Sequence, residues 1–150
     1  GLWRGQPFSY DGKHYQVRPT AFMPPAPPVQ QPRIPIWVVG AWNRPKSLAR
    51  ALRYDGILPN PLTPEGEHRP LTHDDARDIA AYVAANRTEP TPFDIVAEGA
   101  TPGDDPQRAA EMAREWAAAG ATGWIEALWN AESADAVWRR VEQGPPRFEP

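Results

Sequence analysis

Four short apolar segments, each followed by the pattern of an amphipathic helix, constrain this chain more than any other feature. The segments predict β-strands at residues 34–39, 56–58, 93–98 and 122–128. A crossover that contains a helix joins parallel strands, and such crossovers are right-handed. The sequence therefore predicts an α/β protein with a parallel four-stranded sheet in sequence order and helices outside it.

The first segment is the most apolar of the four. Its Ile36-Trp37-Val38-Val39 run does not alternate with polar residues, which is typical of a strand covered on both faces. Gly40 is expected to end the strand in a turn, with Asn43 capping the next helix and Pro45 in its first turn. A glycine turn that opens a helix directs backbone N–H groups towards an anion. An ordinary tight strand-to-helix turn explains the same pattern.

Capping residues and glycines mark where the predicted helices begin and end. The helices are predicted to run from Pro45 to Tyr54, from the capping-box sequence Thr72-His73-Asp74-Asp75 to Asn86, from Asp105-Pro106 to Gly120, and from Ser133 to Gly144.

Residues 1–33 form a different kind of segment. Asp11-Gly12 between two alternating stretches predicts a hairpin with a two-residue turn, pairing residues 8–10 with 14–17. His14 is expected to face solvent. The proline-rich run from Pro24 to Pro28, continuing towards Pro35, predicts an extended strap.

Composition excludes several classes of function. The chain has 16 basic and 19 acidic residues, a formal net charge of −3, and no basic block, which argues against a nucleic-acid partner. It has no cysteine, and therefore no thiolate chemistry. No apolar run approaches the roughly 20 residues of a membrane span, and no signal peptide is visible, so we expect a cytoplasmic protein. His68 and His73 lie near aspartates, but without a third regularly spaced ligand we expect no metal site.

Two architectures fit four strand–helix units: an open doubly wound sheet, or part of an eightfold barrel. The Gly-x-Gly-x-x-Gly fingerprint of dinucleotide-binding sheets is missing, which counts against the first.

Several stretches, in this order and spacing, resemble the bacterial-luciferase-like flavin-dependent oxidoreductases. The stretches are Phe8-Ser9-Tyr10-Asp11-Gly12-Lys13-His14-Tyr15, Pro35-Ile36-Trp37-Val38-Val39-Gly40, Asp55-Gly56-Ile57, Phe93-Asp94-Ile95-Val96-Ala97-Glu98-Gly99 and Ala119-Gly120-Ala121-Thr122-Gly123-Trp124-Ile125-Glu126.

The resemblance implies a partial (β/α)8 barrel. Residues 34–150 would be its C-terminal half, strands five to eight, and residues 1–33 the insertion that precedes strand five. The other four strands would come from a missing N-terminal half or from a second copy of the chain. In this family those strands supply much of the flavin pocket and many catalytic groups, so the chain is expected to be incomplete for catalysis alone, with its catalytic residues unknown.

The resemblance also implies a cofactor, flavin mononucleotide (FMN) or, alternatively, a deazaflavin coenzyme. The family holds it at the turn after strand five, which falls on Val39, Gly40, Ala41 and Trp42 here. Reduced flavin activates oxygen towards an organic substrate, whereas deazaflavin transfers hydride.

Three further residues are candidates for a substrate pocket: Glu98, Trp124 and Glu126, because barrel sites lie at the carboxyl ends of strands. The alternative is that the two glutamates pair with arginines at the barrel rim. Trp42, Trp124 and Trp129 could form the wall of an apolar pocket over the flavin ring. Core packing is the alternative for each of them.

Three functions remain open from the sequence. The chain is the C-terminal portion of a luciferase-like oxidoreductase or monooxygenase acting on a small organic substrate, a non-catalytic flavin-binding or self-associating half-barrel, or another barrel enzyme that binds a phosphorylated ligand.

Overall fold

The computed structural model describes residues 8–19 and 29–147, and the chain divides into two units, residues 1–35 and 36–150. The first unit contains β1 (Tyr10–Asp11) and β2 (Gln16–Val17). The second contains four strands alternating with four helices: β3 (Trp37–Trp42), α1 (Pro45–Ala51), β4 (Gly56–Pro61), α2 (His73–Asn86), β5 (Asp94–Gly99), α3 (Pro106–Ala118), β6 (Gly123–Glu126) and α4 (Ala134–Gln143).

The hairpin of the first unit is confirmed, but it is smaller than predicted. β1 and β2 pair antiparallel through Tyr10–Val17 and Asp11–Gln16. The predicted two-residue turn is wrong: four residues separate the strands, and the amide of Gly12 donates to the carbonyl of Tyr15 at 2.9 Å. Asp11 therefore pairs in the strand. The predicted strap at residues 24–28 lies outside the described residues.

The sheet of the second unit confirms the predicted topology. Its strands are parallel and lie in the order β3-β4-β5-β6. An isolated antiparallel bridge between Leu62 and His68, which the sequence did not predict, closes the loop after β4. Because right-handed crossovers join consecutive parallel strands, α1, α2 and α3 cover the same face of the sheet. The last helix, α4, contacts that face through the ion pair of Arg140 with Glu126.

The first strand lies three residues later than predicted, so the expected glycine turn at Gly40 is wrong. Pairing with β4 continues through Ala41 and Trp42, and Gly40 lies inside the strand. The turn follows at Asn43, whose φ is 65°, a left-handed conformation that asparagine tolerates better than most residues. Asn43 is not the helix cap: Arg44 occupies that position, and it makes no side-chain capping bond.

The predicted end of the first helix at Tyr54 is wrong, since α1 ends at Ala51. The starts of the other three helices are confirmed. Thr72 and Asp75 form a reciprocal capping box at the start of α2. Asp105 and Ser133 cap α3 and α4 through their side chains. Pro45 and Pro106 occupy the first turns of α1 and α3. A backbone N–H has no intrahelical partner there, so proline loses no hydrogen bond at these positions.

The core lies between the sheet and its helices, and the opposite face of the sheet is open in β3. Ile57, Ile79 and Ile95 are at most 5% exposed. Trp37 and Val39, in contrast, are 46% and 58% exposed. The prediction that β3 is covered on both faces is therefore wrong for the described chain, because all four helices pack on the other side.

Candidate functional site

Alternation along β3 divides the four predicted cofactor residues between the two faces of the sheet. A Cβ atom on Gly40 would lie 2.5 Å from Cδ1 of Ile57 and 3.8 Å from Cβ of Ala51 on α1. Trp42 is 8% exposed and packs edge-to-face against Tyr82 of α2, with ring centroids 6.2 Å apart. Gly40 and Trp42 thus face the helices. Because successive strand residues point to opposite faces, Val39 and Ala41 face the open side.

Two backbone amides of this turn, those of Ala41 and Arg44, are already engaged. The N–H of Ala41 donates to Oγ of Ser47 at 2.9 Å. The N–H of Arg44 donates to the carbonyl of Ala41 at 3.2 Å. An anion could bind these two amides only by displacing those hydrogen bonds.

A cavity of about 390 Å³ lies at the carboxyl ends of β3 and β4. Its lining residues come from the turn after β3 and the loop after β4: Trp42, Asn43, Arg44, Leu62, Thr63, Pro64 and Arg69. The lining combines two guanidinium groups, an amide, a hydroxyl and an indole, from Arg44, Arg69, Asn43, Thr63 and Trp42. Barrel enzymes place their chemistry at this end of the strands.

The two arginines of this cavity differ in whether a carboxylate already pairs with the guanidinium group. The guanidinium of Arg69 forms two hydrogen bonds with the carboxylate of Asp75, at 2.6 and 2.8 Å. That pairing holds the pKa of Asp75 well below its usual range, against burial, which raises it, and with further help from Thr72. Arg44 is exposed, and its guanidinium has no hydrogen bond or ion pair with another described residue.

The donor set fits a phosphate group. An uncommitted guanidinium is well suited to a phosphate, which it can bind through two parallel hydrogen bonds. Val39 and Ala41 offer an apolar surface on the adjoining open face. Sequence reasoning missed Arg44; its signal was an arginine between the end of the most apolar strand and a proline that starts a helix.

Glu126 lies on the helix-facing side of β6 and is fully engaged. Its carboxylate accepts hydrogen bonds from the amide and hydroxyl of Thr101 at 2.6 and 2.8 Å, and from the indole of Trp124 at 3.1 Å. Arg140 of α4 adds an ion pair at 3.0 Å. The pairing of Glu126 with an arginine, the alternative in the sequence analysis, is thus present.

These contacts determine the protonation of Glu126. Burial alone raises the pKa of its carboxyl group. The hydrogen bonds from Thr101, Trp124 and Arg140 outweigh that effect, and the pKa lies below its ordinary value. A lowered pKa keeps Glu126 ionised, which suits a structural anion better than a proton carrier.

Trp124 and Glu98 lie on opposite faces. The indole of Trp124 packs against Trp116 of α3, with ring centroids 5.9 Å apart, and passes over Gly99, where a Cβ atom would lie 2.8 Å from the ring. Glu98 is exposed and pairs in register with Ile125 on the open face. Of the three predicted substrate-pocket residues, Glu98 alone points to the side where Val39 and Ala41 lie.

Among residues 8–19 and 29–147, no group of three or more histidines, aspartates and glutamates could hold a metal ion. Among the same residues, no helix has the length and apolar character needed to cross a membrane.

Comparison with known protein families gives a match over most of the chain. The model of the family described as luciferase-like monooxygenase matches residues 1–145. Searches of curated proteins and of solved structures found no significant match.

Proposed function

The chain belongs to the luciferase-like monooxygenase family, and from this membership we propose that it is the C-terminal portion of a flavin- or deazaflavin-dependent oxidoreductase. Residues 34–150 would form strands five to eight of the barrel, and residues 1–33 the preceding insertion. The substrate would be a small organic molecule. The portion would contribute to cofactor binding and would need further strands for catalysis.

The observation that carries this proposal is the cavity at the carboxyl ends of β3 and β4. The guanidinium of Arg44 lies at its wall and has no partner among residues 8–19 and 29–147. Val39 and Ala41, on the open face, precede the cavity's lining residue Trp42 along β3. An anion site next to an apolar surface is the combination that a phosphorylated, aromatic cofactor needs.

Each residue of this site has a distinct part. Arg44 binds the cofactor phosphate through charge-assisted hydrogen bonds. Val39 and Ala41 contact the apolar part of the cofactor. Gly40 and Trp42 face the helices, so they act by fixing the path of β3. When bound, the flavin supplies oxygen activation or, in the deazaflavin case, hydride transfer; the protein orients it and excludes water.

The three substrate-pocket candidates also divide between the two faces of the sheet. Glu98, which is exposed on the open face, would contact a substrate there. Trp124 and Glu126 stabilise the carboxyl end of β6 on its helix-facing side, through their contacts with α3 and α4. An open apolar face must be covered before it can exclude water, and either the missing N-terminal half of the barrel or a second copy of the chain would cover it.

A titration of the purified chain tests the proposal. FMN, riboflavin and a deazaflavin coenzyme are each titrated and followed by quenching of cofactor fluorescence. We expect FMN or the deazaflavin to bind more tightly than riboflavin, which lacks the phosphate. Equal affinities for FMN and riboflavin would show that the cavity does not bind the cofactor phosphate. If none of the three compounds binds, the proposal is contradicted.

A second function is favoured by the same cavity. A guanidinium beside hydroxyl and amide groups also suits a phosphorylated ligand without a flavin ring. Inorganic phosphate would then compete with FMN, and the chain would bind a simple sugar phosphate as tightly as FMN. That result would favour a barrel enzyme that binds a phosphorylated ligand. Flavin binding without turnover, even after the missing strands are supplied, would favour a non-catalytic module.

A further inference from the structure

The hydrogen-bond ladder between the two central strands of the sheet stops early. β4 pairs with β5 only at its first two residues, Gly56 and Ile57, but it pairs with β3 along its whole length. The cause lies in β4 itself, which contains Pro59 and Pro61. Proline has no N–H to donate to a ladder, and it is therefore rare in a central strand.

Both prolines direct their backbone nitrogen atoms towards β5. The carbonyl of Asp55 accepts from the amide of Asp94, the first residue of β5, at 2.8 Å. Every second residue of a strand directs its backbone groups to the same side. Pro59 and Pro61 are in step with Asp55 in this alternation, so they also face β5, where they have no N–H to donate.

Two carbonyl groups of β5 lack their ladder donors in consequence. Since the register pairs Gly56 with Asp94, the carbonyls opposite the two proline nitrogens are those of Val96 and Glu98. Val96 is only 2% exposed. No N–H or O–H group of residues 8–19 and 29–147 donates to either carbonyl. Buried carbonyl groups are nearly always hydrogen-bonded, so this place suits a ligand that donates.

Two side chains without partners lie beside these carbonyls, on the open face of the sheet. Asn60 pairs in register with Ala41, which lies on that face, and Glu98 faces the same side. Asn60 and Glu98 follow the first pair of the β4–β5 ladder by the same number of residues, so they occupy the same level of neighbouring strands. Neither side chain has a hydrogen bond or an ion pair with another residue of the described ranges.

These groups form what we call the acceptor subsite: the carbonyls of Val96 and Glu98, the carboxylate of Glu98 and the side-chain amide of Asn60. Four of its oxygen-bearing groups accept hydrogen bonds, and the NH2 group of Asn60 is its one kind of donor. Because no described cation pairs with Glu98, the subsite is electronegative. A group with several donors and a positive charge complements it, whereas a carboxylate or phosphate would meet a charge of its own sign.

We propose that the acceptor subsite binds the protonated amine of the substrate, so that the small organic substrate is a primary amine. This inference rests on the proposed function, because it takes the open face as the inside of the barrel. An ammonium group has three N–H donors, which match the Glu98 carboxylate, the Val96 carbonyl and the Asn60 amide oxygen. Barrel enzymes bind their substrates at this end of the strands. The amine serves for recognition here.

An NMR titration of the isotope-labelled chain at neutral pH, without cofactor, tests the subsite. The probes are benzylamine, benzyl alcohol and benzoate, which share a ring and differ in their polar group. We expect benzylamine to shift the backbone amide signals of Asn60 and Glu98 and the side-chain NH2 signals of Asn60. Benzyl alcohol should bind about tenfold more weakly, because it lacks the charge, and benzoate should leave these signals unchanged.

Variants make the titration specific to the subsite. Glu98→Gln keeps the shape of the side chain but removes its charge, and it should raise the Kd for benzylamine about tenfold. The matched control is Glu142→Gln, an exposed carboxylate on α4, which should leave that Kd unchanged. Circular dichroism verifies that each variant is folded.

Pro59→Ala tests the origin of the subsite. It supplies the N–H that the Val96 carbonyl lacks, so the ladder should continue. The new amide at position 59 should then be protected from hydrogen exchange, and benzylamine binding should weaken. An unprotected amide in the folded variant would contradict the role given to the proline.

Three other results would overturn the inference: no binding of benzylamine, equal shifts with benzylamine and benzoate, or a Kd for benzylamine that Glu98→Gln leaves unchanged. The proposed function is tested separately, because FMN is titrated without amine and benzylamine without FMN. Loss of the amine site with FMN binding intact overturns this inference alone, and the reverse result overturns the flavin assignment while the acceptor subsite remains.

Discussion

The Nη2 atom of Arg140 lies 3.0 Å from Oε2 of Glu126, and this ion pair joins the last helix to the last strand. Arg140 is 8% exposed, and its guanidinium also donates to the hydroxyl of Thr101 at 2.8 Å. One buried cation therefore connects α4, β6 and the loop after β5. The carboxyl end of β6 and the position of α4 both depend on it.

Replacing Glu126 by glutamine should destabilise the protein substantially. The substitution keeps the shape of the side chain but leaves the buried guanidinium of Arg140 without its counterion. Removing one partner of a buried ion pair costs several kcal/mol, and since Glu126 is partly accessible we expect about 2–3 kcal/mol. Urea unfolding measures this loss in the free energy of unfolding.

The control for Glu126→Gln is Glu142→Gln, an exposed carboxylate on α4. It should change the free energy of unfolding by less than about 0.5 kcal/mol. Equal effects of the two substitutions would mean that the ion pair contributes no more than surface charge.

Asp75 should make the stability depend on acid pH. Its folded-state pKa is depressed, first by the hydrogen bond from Arg69. A depressed carboxyl pKa contributes stability that is complete above the unfolded pKa of about 3.9 and is lost as the pH falls through the folded pKa. Relative to Asp75→Asn, the wild type should lose up to about 1.4 kcal/mol per pH unit below pH 4.

Urea unfolding of both proteins between pH 6 and about pH 2.5 checks this expectation. Their difference in free energy of unfolding should be constant above pH 5 and shrink below pH 4. A difference that stays constant down to the lowest pH would show that Asp75 titrates normally in the folded protein.

Gly40 should be intolerant of any side chain because of packing against its neighbours. A Cβ atom would lie 2.5 Å from Cδ1 and 2.9 Å from Cγ1 of Ile57, in the core. Gly40→Ala should cost about 1–3 kcal/mol, the usual range for overpacking. Ile57→Val removes the closer methyl group, so in the double variant the two effects should be less than additive.

Chemical denaturation of the two single variants and the double variant measures that coupling. Strictly additive losses would mean that Gly40 is required for another reason. The same geometry disqualifies Gly40→Val as a probe of cofactor binding, since it would disturb the fold first.

The order of the strands and most helix ends could be predicted because they depend on local signals. The capping box of Thr72 and Asp75 involves residues three apart, and the caps at Asp105 and Ser133 act within one turn. The parallel order of the strands follows from the length of the crossovers.

Other features depend on contacts that the sequence does not display. The end of β3 is determined by its ladder with β4, which continues past Gly40 to Trp42. Glu126 faces the helices because of its pleat position, and its partners Thr101 and Arg140 are 25 and 14 residues away. Arg44 was overlooked because nothing in the sequence shows which arginines already have a carboxylate partner.

The role of Arg44 is the part of the account most directly open to measurement. FMN and riboflavin are titrated against the wild type, Arg44→Ala and Arg53→Ala, the last being an exposed arginine beyond the other end of α1. Losing a charge-assisted hydrogen bond to phosphate costs about 1.5–3 kcal/mol. We therefore predict that Arg44→Ala raises the Kd for FMN about tenfold to a hundredfold, leaves riboflavin unchanged, and that Arg53→Ala affects neither. An unchanged Kd for FMN in Arg44→Ala would contradict the proposed cofactor site.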